Sequence, residues 1–252
     1  MTRPDALTRF SSRVADYVRY RPGYPALVYR LLADEHGLRS AAVVADVGSG
    51  TGISARVFLE HGHTVLGVEP NAEMRAAAEQ LLAQFAGFRS VSGRAEATTL
   101  DAGSVDWVIA AQAFHWFDVD ACRVEFRRIL RAGGRIALLW NDRRCDTPFL
   151  REYEVLLQNY ATDYREVDHR QVESDGRIER LFGGAPRRAI FENVQVFDFD
   201  GLRGRLLSSS YAPGPGHARH EPMLAALREL FERHERDGVV RVHYDTKLFV
   251  SG

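Results

Sequence analysis

Two hydrophobic patterns alternate along the first 141 residues of the chain. Short runs rich in β-branched residues predict strands, and between them apolar residues return every three or four positions, which is typical of helices. The predicted strands cover residues 43–47, 64–68, 88–92, 105–111 and 135–140. Strands that alternate with helices indicate βαβ units, so we expect a mostly parallel sheet.

Three helices are predicted between these strands. Residues 53–60 form a short helix directly after the first glycine-rich turn. A longer helix over residues 72–85, with Asn71 as its N-cap, places several apolar residues on one face. A crossover helix before the fifth strand is marked by Cys122, Phe126, Ile129 and Leu130. We expect Gly133 and Gly134 to end that helix and to turn the chain back.

The pattern changes after Asn141. A helical stripe from Phe149 to Tyr164 and a polar stretch to Gly184 predict a helical insertion over the sheet. Two more strands are predicted near residues 190–199 and 239–250, with a helix between them, and such adjacent strands would pair antiparallel. The fold class is therefore expected to be α/β, a Rossmann-like doubly wound, mostly parallel sheet with an antiparallel last strand and helical insertions covering the site.

Charge and composition limit the kinds of binding partner to be expected. The chain has 33 Lys and Arg residues against 34 Asp and Glu residues, a net charge of -1. Because it has no excess positive charge to attract a polyanion, nucleic acid is not expected as a partner. The amino terminus has no apolar export region, and no stretch reaches the roughly 18 apolar residues of a membrane span. We therefore expect a cytoplasmic protein without a membrane partner, either a monomer or a homodimer.

The cysteines and histidines do not suggest a metal centre. Cys122 and Cys145 are the two cysteines and do not form a C-x-x-C pair. His61 with His63, and His217 with His220, have ligand-like spacing, but no acidic or cysteine partner supports them. We expect no metal.

The strongest chemical signal is a glycine-rich turn after the first strand, with Gly48, Gly50 and Gly52 at alternate positions. A dinucleotide fold would favour G-x-G-x-x-G, whose helix receives a pyrophosphate. Asp46, two positions before the first glycine, would oppose a phosphate but suit a cation. Glu69 ends the next strand, 69 − 52 = 17 residues after the last glycine, where a carboxylate can accept from both ribose hydroxyls. These features favour a nucleoside with a positively charged, phosphate-free tail, such as S-adenosylmethionine.

On these motifs the chain resembles the class I S-adenosylmethionine-dependent methyltransferases, in particular the type 11 methyltransferase domain, over about residues 43–139. Residues 46–52 match the family's first motif, and residues 67–71 with Met74 match its second. Residues 93–97 look like the segment that meets the adenine, and residues 111–117 look like the fourth-strand motif that lines the methyl-transfer site. The resemblance implies methyl transfer to a small molecule.

More weakly, residues 20–25 and 208–213 resemble small-molecule methyltransferases related to trans-aconitate methyltransferase. One domain is then expected over residues 1–252. It would comprise an N-terminal helical lid (1–40), a cofactor-binding core (41–141), and an insertion with the C-terminal strands (142–252).

The resemblance, together with the residues that stand at the carboxyl ends of the fourth and fifth strands, where open α/β sheets bind ligands, gives a set of expected site residues. The residues expected to bind S-adenosylmethionine, and its product S-adenosylhomocysteine, are Asp46, Gly48, Ser49, Gly50, Thr51, Gly52, Glu69, Pro70, Met74, Ala95, Glu96, Ala97, Gln112, Tyr17 and Arg21. The residues expected to bind the substrate are His115, Trp116, Trp140, Asn141 and Tyr211. His115 is the candidate base if the acceptor is an alcohol or an amine, whereas a carboxylate acceptor needs none.

Several alternatives stay open at the level of sequence. Glu96 could instead be an acid at a helix N-terminus, and His115 and Trp116 could fill the core at the end of their strand. The Gly/Pro-rich region around Tyr211 could be a substrate loop, but the linker interpretation is slightly favoured. As a whole, the chain could also be a nucleotide-dependent oxidoreductase, which the glycine spacing disfavours, or a non-catalytic S-adenosylmethionine-binding regulatory module.

Overall fold

The computed structural model describes residues 18–162, 164 and 175–252. In chain order, its elements are α1 (Ala26–His36), β1 (Val43–Val47), α2 (Ile53–Leu59), β2 (Thr64–Val68), α3 (Ala72–Leu81), β3 (Phe88–Val91), β4 (Val105–Ala111), a 3₁₀ helix (Phe114–Trp116), α4 (Val119–Ile129), β5 (Leu130–Arg143), α5 (Pro148–Tyr160), α6 (Arg177–Phe182), β6 (Arg187–Phe197), α7 (Phe199–Leu207), α8 (His220–His234) and β7 (Val240–Val250).

These strands form one seven-stranded sheet in the order β3-β2-β1-β4-β5-β7-β6. Strands β1 to β5 run parallel to one another. Strand β7 runs antiparallel to both β5 and β6. The predicted Rossmann-like, mostly parallel sheet with an antiparallel last strand is confirmed. Because the strand order reverses between β1 and β4, a crevice is expected beyond the carboxyl ends of these two strands.

Apolar layers cover both faces of the sheet, as the continuous hydrophobic runs of its central strands require. On one face, α4 packs Phe126 and Ile129 against strand residues such as Val108. On the other face, α1 and α2 pack around Phe58 together with Ile109. Val108 and Ile109 are neighbours in β4, and their opposite directions show how strand alternation divides one apolar run between two cores.

A third apolar cluster lies where α5, α7 and α8 pack with β6 and β7. Its buried members include Tyr153 of α5, Leu206 of α7, Leu227 of α8 and Tyr244 of β7. Helix α5 occupies most of the stretch in which the stripe from Phe149 to Tyr164 predicted a helix. We refer to α5, α7, α8 and the segments that join them to the sheet as the cap.

The prediction that Gly133 and Gly134 end the crossover helix is wrong. Helix α4 ends at Ile129, and both glycines lie inside β5, which is longer than predicted. The register between β4 and β5 shifts here, from Val105 opposite Leu130 to Trp107 opposite Arg135. Gly133 adopts a φ of 78°, so the glycines permit a bulge in the strand rather than a helix stop.

The predicted helix over residues 72–85 is shorter than expected. Asn71 caps it as predicted, accepting hydrogen bonds from the amides of Glu73 and Met74. The helix ends at Leu81. Leu82 and Phe85 belong to the following turn, in which the Phe85 amide donates to the Leu82 carbonyl at 2.9 Å. The apolar side chains at the end of the stripe therefore pack from a turn.

The chain before α1 lies against the cap and the last strands. The carbonyl of Tyr20 accepts a hydrogen bond from Gln195 at 3.1 Å, and the guanidinium of Arg21 donates to the carbonyl of Ser208 at 3.0 Å. Tyr17 lies outside the described residues. Among the helices that the structure describes, none is both long and apolar enough to span a bilayer.

Candidate functional site

A cavity opens beyond the carboxyl ends of β1 and β4, at the point where the strand order reverses. Its volume is about 180 Å³, well above the roughly 10–15 Å³ that one water requires by the same measure. Its lining comes from the glycine turn with the start of α2, the end of β4 with the 3₁₀ helix, the end of β5, Tyr244 of β7, and the cap with residues 21–24. The cavity thus lies between the sheet and the cap.

The glycine turn forms the floor of the cavity. Gly48, Gly50 and Gly52 have φ values of 71°, 55° and 85°, the left-handed region that glycine enters without a steric penalty. A Cβ on Gly48 would lie 2.6 Å from the Cβ of Ala113, whereas a Cβ on Gly50 would meet no atom within 4 Å. Gly48 is therefore required for packing, but Gly50 borders open space in the cavity.

Glu69 fixes this turn from the end of β2. One carboxylate oxygen accepts from the amide of Gly50 at 3.0 Å, and the other accepts from the amide of Asn71 at 2.9 Å. Burial raises the pKa of Glu69, and these two backbone bonds oppose that rise. Because a carboxylate oxygen can accept more than one hydrogen bond, each oxygen retains capacity for a ligand hydroxyl.

Asp46 supports the turn from beneath and does not line the cavity. It is fully buried, and its Oδ2 accepts from the hydroxyl of Ser54 at 2.7 Å. Burial raises its pKa to about 7, against the hydrogen bond from Ser54. The side chain of Asp46 is enclosed by β1 and α2. It therefore does not reach the cavity, where the direct cofactor contact was expected.

The other residues assigned to the cofactor divide into three groups. Ser49, Thr51, Gln112 and Arg21 line the cavity together with Gly48 and Gly50. Met74 and Ala95 are buried in the core instead. Pro70, Glu96 and Ala97 lie outside the cavity wall, although Glu96 accepts a hydrogen bond from the amide of Asp118 at 3.0 Å.

Gln112 has an unusual backbone at the end of β4. Its φ is 57°, a conformation that costs a residue other than glycine about 1 kcal/mol or more. The amide of Gln112 donates to the carbonyl of Leu139 at 2.9 Å, and its side chain donates to the carbonyl of Asn141 at 3.3 Å. These bonds hold β4 and β5 together at the cavity, where the 3₁₀ helix begins.

Of the residues assigned to the substrate, four line the cavity. His115 and Trp116 do so from the 3₁₀ helix, with ring centroids 4.9 Å apart. Asn141 lines it from the end of β5 and Tyr211 from the cap. The structure therefore brings His115, Trp116, Asn141 and Tyr211 to the same cavity as the glycine turn.

Trp140 is a correction to the predicted site. It is 2% exposed, and its ring packs edge-on against Phe114 and Phe249 in the core. Side chains alternate along a strand, so Asn141 and Trp140 of β5 must point to opposite faces. Asn141 reaches the cavity, and Trp140 does not contact it.

The linker interpretation of the region around Tyr211 is also wrong. Ser208 and Ser209 are fully buried, while Ser210 and Tyr211 line the cavity. The carbonyl of Tyr211 accepts a hydrogen bond from the amide of Thr162 at 3.0 Å, which joins this loop to the end of α5. The region is part of the cap.

Sequence reasoning found Arg21 but missed the other charged residues of the cavity. Arg143 lines it, and its guanidinium bonds to the carboxylate of Glu154 and to the hydroxyl of Tyr164. Asp142 lines it and forms an ion pair with Lys247. Arg205 lines it from α7. Arg205 was detectable in principle, because it falls between the apolar residues Leu202 and Leu206 on the buried face of its helix.

Comparison with known proteins shows that the core of this site is similar to methyltransferases. Residues 45–138 match the methyltransferase domain family. An uncharacterized methyltransferase of Mycobacterium tuberculosis is 40% identical over 148 residues, which cover 56% of each chain. An uncharacterized methyltransferase-like protein of Schizosaccharomyces pombe is 31% identical over 158 residues, 62% of this chain and 60% of that protein. The matches thus span less than two thirds of the length of these relatives.

One solved structure extends the likeness over almost the whole chain. A protein of Anaeromyxobacter dehalogenans, described as a type II methyltransferase, superposes with a TM-score of 0.67 at 26% identity and covers 92% of this chain and 97% of its own. The likeness therefore includes the cap as well as the matched residues 45–138.

The buried carboxyl of Asp46 generates a prediction for stability. The pKa of this group rises from 3.8 to about 7 in the folded state. Below about pH 4 both states are protonated, and between pH 4 and 7 only the unfolded state loses the proton, so stability falls as pH rises. Asp46→Asn cannot titrate, so its unfolding free energy should gain up to about 4 kcal/mol relative to the native protein between pH 4 and pH 8.

Urea denaturation at several pH values measures this difference. Asp101→Asn, which removes an exposed carboxylate, serves as the control and should differ from the native protein by a nearly constant amount. A difference between Asp46→Asn and the native protein that does not change with pH would contradict the buried, proton-binding role of Asp46.

Proposed function

We propose that this chain, whose residues 45–138 match the methyltransferase domain family, transfers a methyl group from S-adenosylmethionine to a small-molecule acceptor. The observation that carries the proposal is the glycine turn held by Glu69. Gly50 borders open space in the cavity, and its amide is fixed by the same carboxylate that we assign to the ribose.

The residues fit this cofactor on both sides of the turn. Glu69 has a remaining acceptor site on each oxygen for the two ribose hydroxyls, and Pro70, Glu96 and Ala97 are assigned to the adenosine on that side. Gly48, Ser49, Gly50, Thr51 and Gln112 line the cavity and are assigned to the methionine part. When bound, the cofactor supplies an activated methyl group on a sulfonium.

Given that activation, the main tasks of the protein are alignment and the exclusion of water. The cavity walls supply both, because the sheet fixes one side and the cap with residues 21–24 encloses the other. We assign Arg21, Pro22 and Tyr24, which line the cavity, to a cover over the site. They are the part of the proposed N-terminal lid (1–40) that borders the cavity, whereas α1 packs against one face of the sheet. His115 and Trp116 stand beside the glycine turn and are assigned to the acceptor.

Methyl transfer is tested with S-adenosylmethionine labelled on its methyl group and a panel of metabolites with hydroxyl, amine and carboxylate groups. Label in a small-molecule product, with S-adenosylhomocysteine formed in equal amount, is the expected result. Tight binding of S-adenosylhomocysteine without label in any acceptor would instead favour a non-catalytic binding module.

A substitution at Gly50 tests the open space that faces this residue. Gly50→Ala should weaken S-adenosylhomocysteine binding by about tenfold or more, because the new methyl group enters space that we assign to the ligand. Titration calorimetry on the purified variant measures the affinity.

Gly103→Ala is the matched control for backbone strain. Gly103 has a φ of 59°, close to the 55° of Gly50, and it too has no atom within 4 Å of an added Cβ, yet it lies in an exposed turn away from the cavity. Both variants should lose similar stability, but only Gly50→Ala should lose affinity. Equal affinities would show that Gly50 does not border the cofactor.

Substitution at Glu69 tests the carboxylate itself. In Glu69→Gln an amide NH₂ would face either the Gly50 or the Asn71 amide, so a donor would oppose a donor. The affinity for S-adenosylhomocysteine should fall about 10- to 100-fold, as expected for the loss of charge-assisted hydrogen bonds. Glu79→Gln, at an exposed position of α3, should bind like the native protein. An unchanged dissociation constant in a folded Glu69→Gln protein would remove Glu69 from the ribose role.

We assign His115 as the general base for a hydroxyl or amine acceptor, because it lines the cavity beside the glycine turn. His115→Ala should then lower the turnover rate about 10²- to 10⁴-fold and abolish a titration near neutral pH, with little change in cofactor affinity. Rates measured across pH, with the exposed His61→Ala as control, decide this. A variant that retains the native pH profile would leave His115 with packing alone.

A further inference from the structure

The cap places a buried guanidinium in the cavity wall. Arg205 of α7 is 8% exposed and lines the cavity. Its Nε donates to the hydroxyl of Tyr244 at 3.1 Å, and its Nη1 donates to the hydroxyl of Ser209 at 3.2 Å. The Tyr244 hydroxyl in turn donates to Gln195 at 2.9 Å. The guanidinium is therefore held in position by neutral groups.

No carboxylate within the described parts of the chain forms an ion pair with Arg205. Two other charges at the cavity have partners of opposite sign: Arg143 is bound to Glu154, and Asp142 is paired with Lys247. Buried charges in proteins are normally paired, because desolvation without a partner is costly. A guanidinium has five N–H donors, and within the described residues Nη2 of Arg205 makes no hydrogen bond, so the donor set of Arg205 is incomplete.

The position of Arg205 separates it from the cofactor-binding core. It lies in the cap, outside residues 45–138 that match the methyltransferase domain family. The residues that we assign to the cofactor from β1, β2 and β4 belong to that matched segment. A charge that the cap adds to the same cavity is therefore placed for the acceptor.

From these observations we infer that Arg205 is a specificity-determining residue that binds a carboxylate of the acceptor, an anchor distinct from the atom that receives the methyl group. The inference rests on the proposed function and adds the substrate class, namely small carboxylic acids. The planar guanidinium fork matches a carboxylate. The single positive charge that Arg205 contributes suits a monoanion better than a phosphate monoester, which carries about −1.5 to −2 at neutral pH.

The test measures ligand binding to the protein saturated with S-adenosylhomocysteine, by thermal shift and calorimetry. The probes are matched sets of a small carboxylate, its carboxamide and its phosphate ester counterpart, such as benzoate, benzamide and phenyl phosphate, together with aliphatic acids and hydroxy acids. Carboxylates should raise the melting temperature of the native protein, whereas the carboxamides should not. Phosphate esters should bind more weakly than carboxylates.

Variants at Arg205 assign the effect to this side chain. Arg205→Gln should lower carboxylate affinity about 10- to 100-fold, and Arg205→Lys should retain part of it. Arg203→Gln is the matched control, because Arg203 lies two positions away in α7 and is exposed; it should bind like the native protein. The affinity of Arg205→Gln for S-adenosylhomocysteine should stay within about threefold of the native value.

Several outcomes would overturn the inference. They include equal binding of a carboxylate and its carboxamide, no carboxylate binding to the native protein, tighter phosphate ester binding, and a native response in Arg205→Gln. A parallel loss of S-adenosylhomocysteine binding in a folded Arg205→Gln protein would assign Arg205 to the cofactor instead. The comparison of acid with amide on the native protein needs no variant, so it decides the question even if Arg205→Gln fails to fold. Failure of the native protein to bind S-adenosylhomocysteine would count against the proposed function itself.

Discussion

The site depends on the hydrogen bond that the carboxylate of Glu69 accepts from the amide of Gly50. This bond is 3.0 Å long and joins two residues 19 positions apart, so it connects the end of β2 to the turn that follows β1. Within the turn, the amide of Gly48 donates to the carbonyl of Val68 at 2.8 Å, so β2 holds the turn through its backbone as well. A loop of three left-handed glycines would otherwise have many conformations; these bonds select the one that borders the cavity.

The demands on the two sides of the cavity are different. The glycine turn is fixed by backbone hydrogen bonds and by close packing around Gly48 and Gly52, where an added Cβ would lie 2.6 Å and 2.5 Å from neighbouring side chains. The cap uses aromatic rings and the buried guanidinium of Arg205, which hydroxyl groups hold in position. A wall built mainly from side chains tolerates substitution more readily than a turn that its backbone holds in place. That division suits the proposed cofactor site at the turn and the proposed acceptor site beside the cap.

The local parts of this structure were predictable from sequence, and the non-local parts were not. The strand, glycine turn and acid of residues 43–69 form a unit whose spacing already specifies its geometry. By contrast, Gly133 and Gly134 were assigned to a helix stop because glycine is common at helix ends, whereas their place is set by pairing of β5 with β4. Because side chains alternate along a strand, Trp140 and Asn141 cannot both face the cavity, and the sequence does not show which of them does. Arg205 was missed because a helical arginine is usually solvated.

The position of residues 21–24 relative to the sheet depends on a small polar network around Asn141. Its amide nitrogen donates to the carbonyl of Gly23 at 3.1 Å, and its oxygen accepts from Thr246 at 2.5 Å and from Asn193 at 3.2 Å. Asn193 also donates to Gly23, at 2.9 Å. Three strands and the segment before α1 therefore meet at one 6% exposed side chain, which also lines the cavity. Because a buried amide left without its partners is costly, this network couples the position of residues 21–24 to the sheet, and hence the cover to the floor of the site.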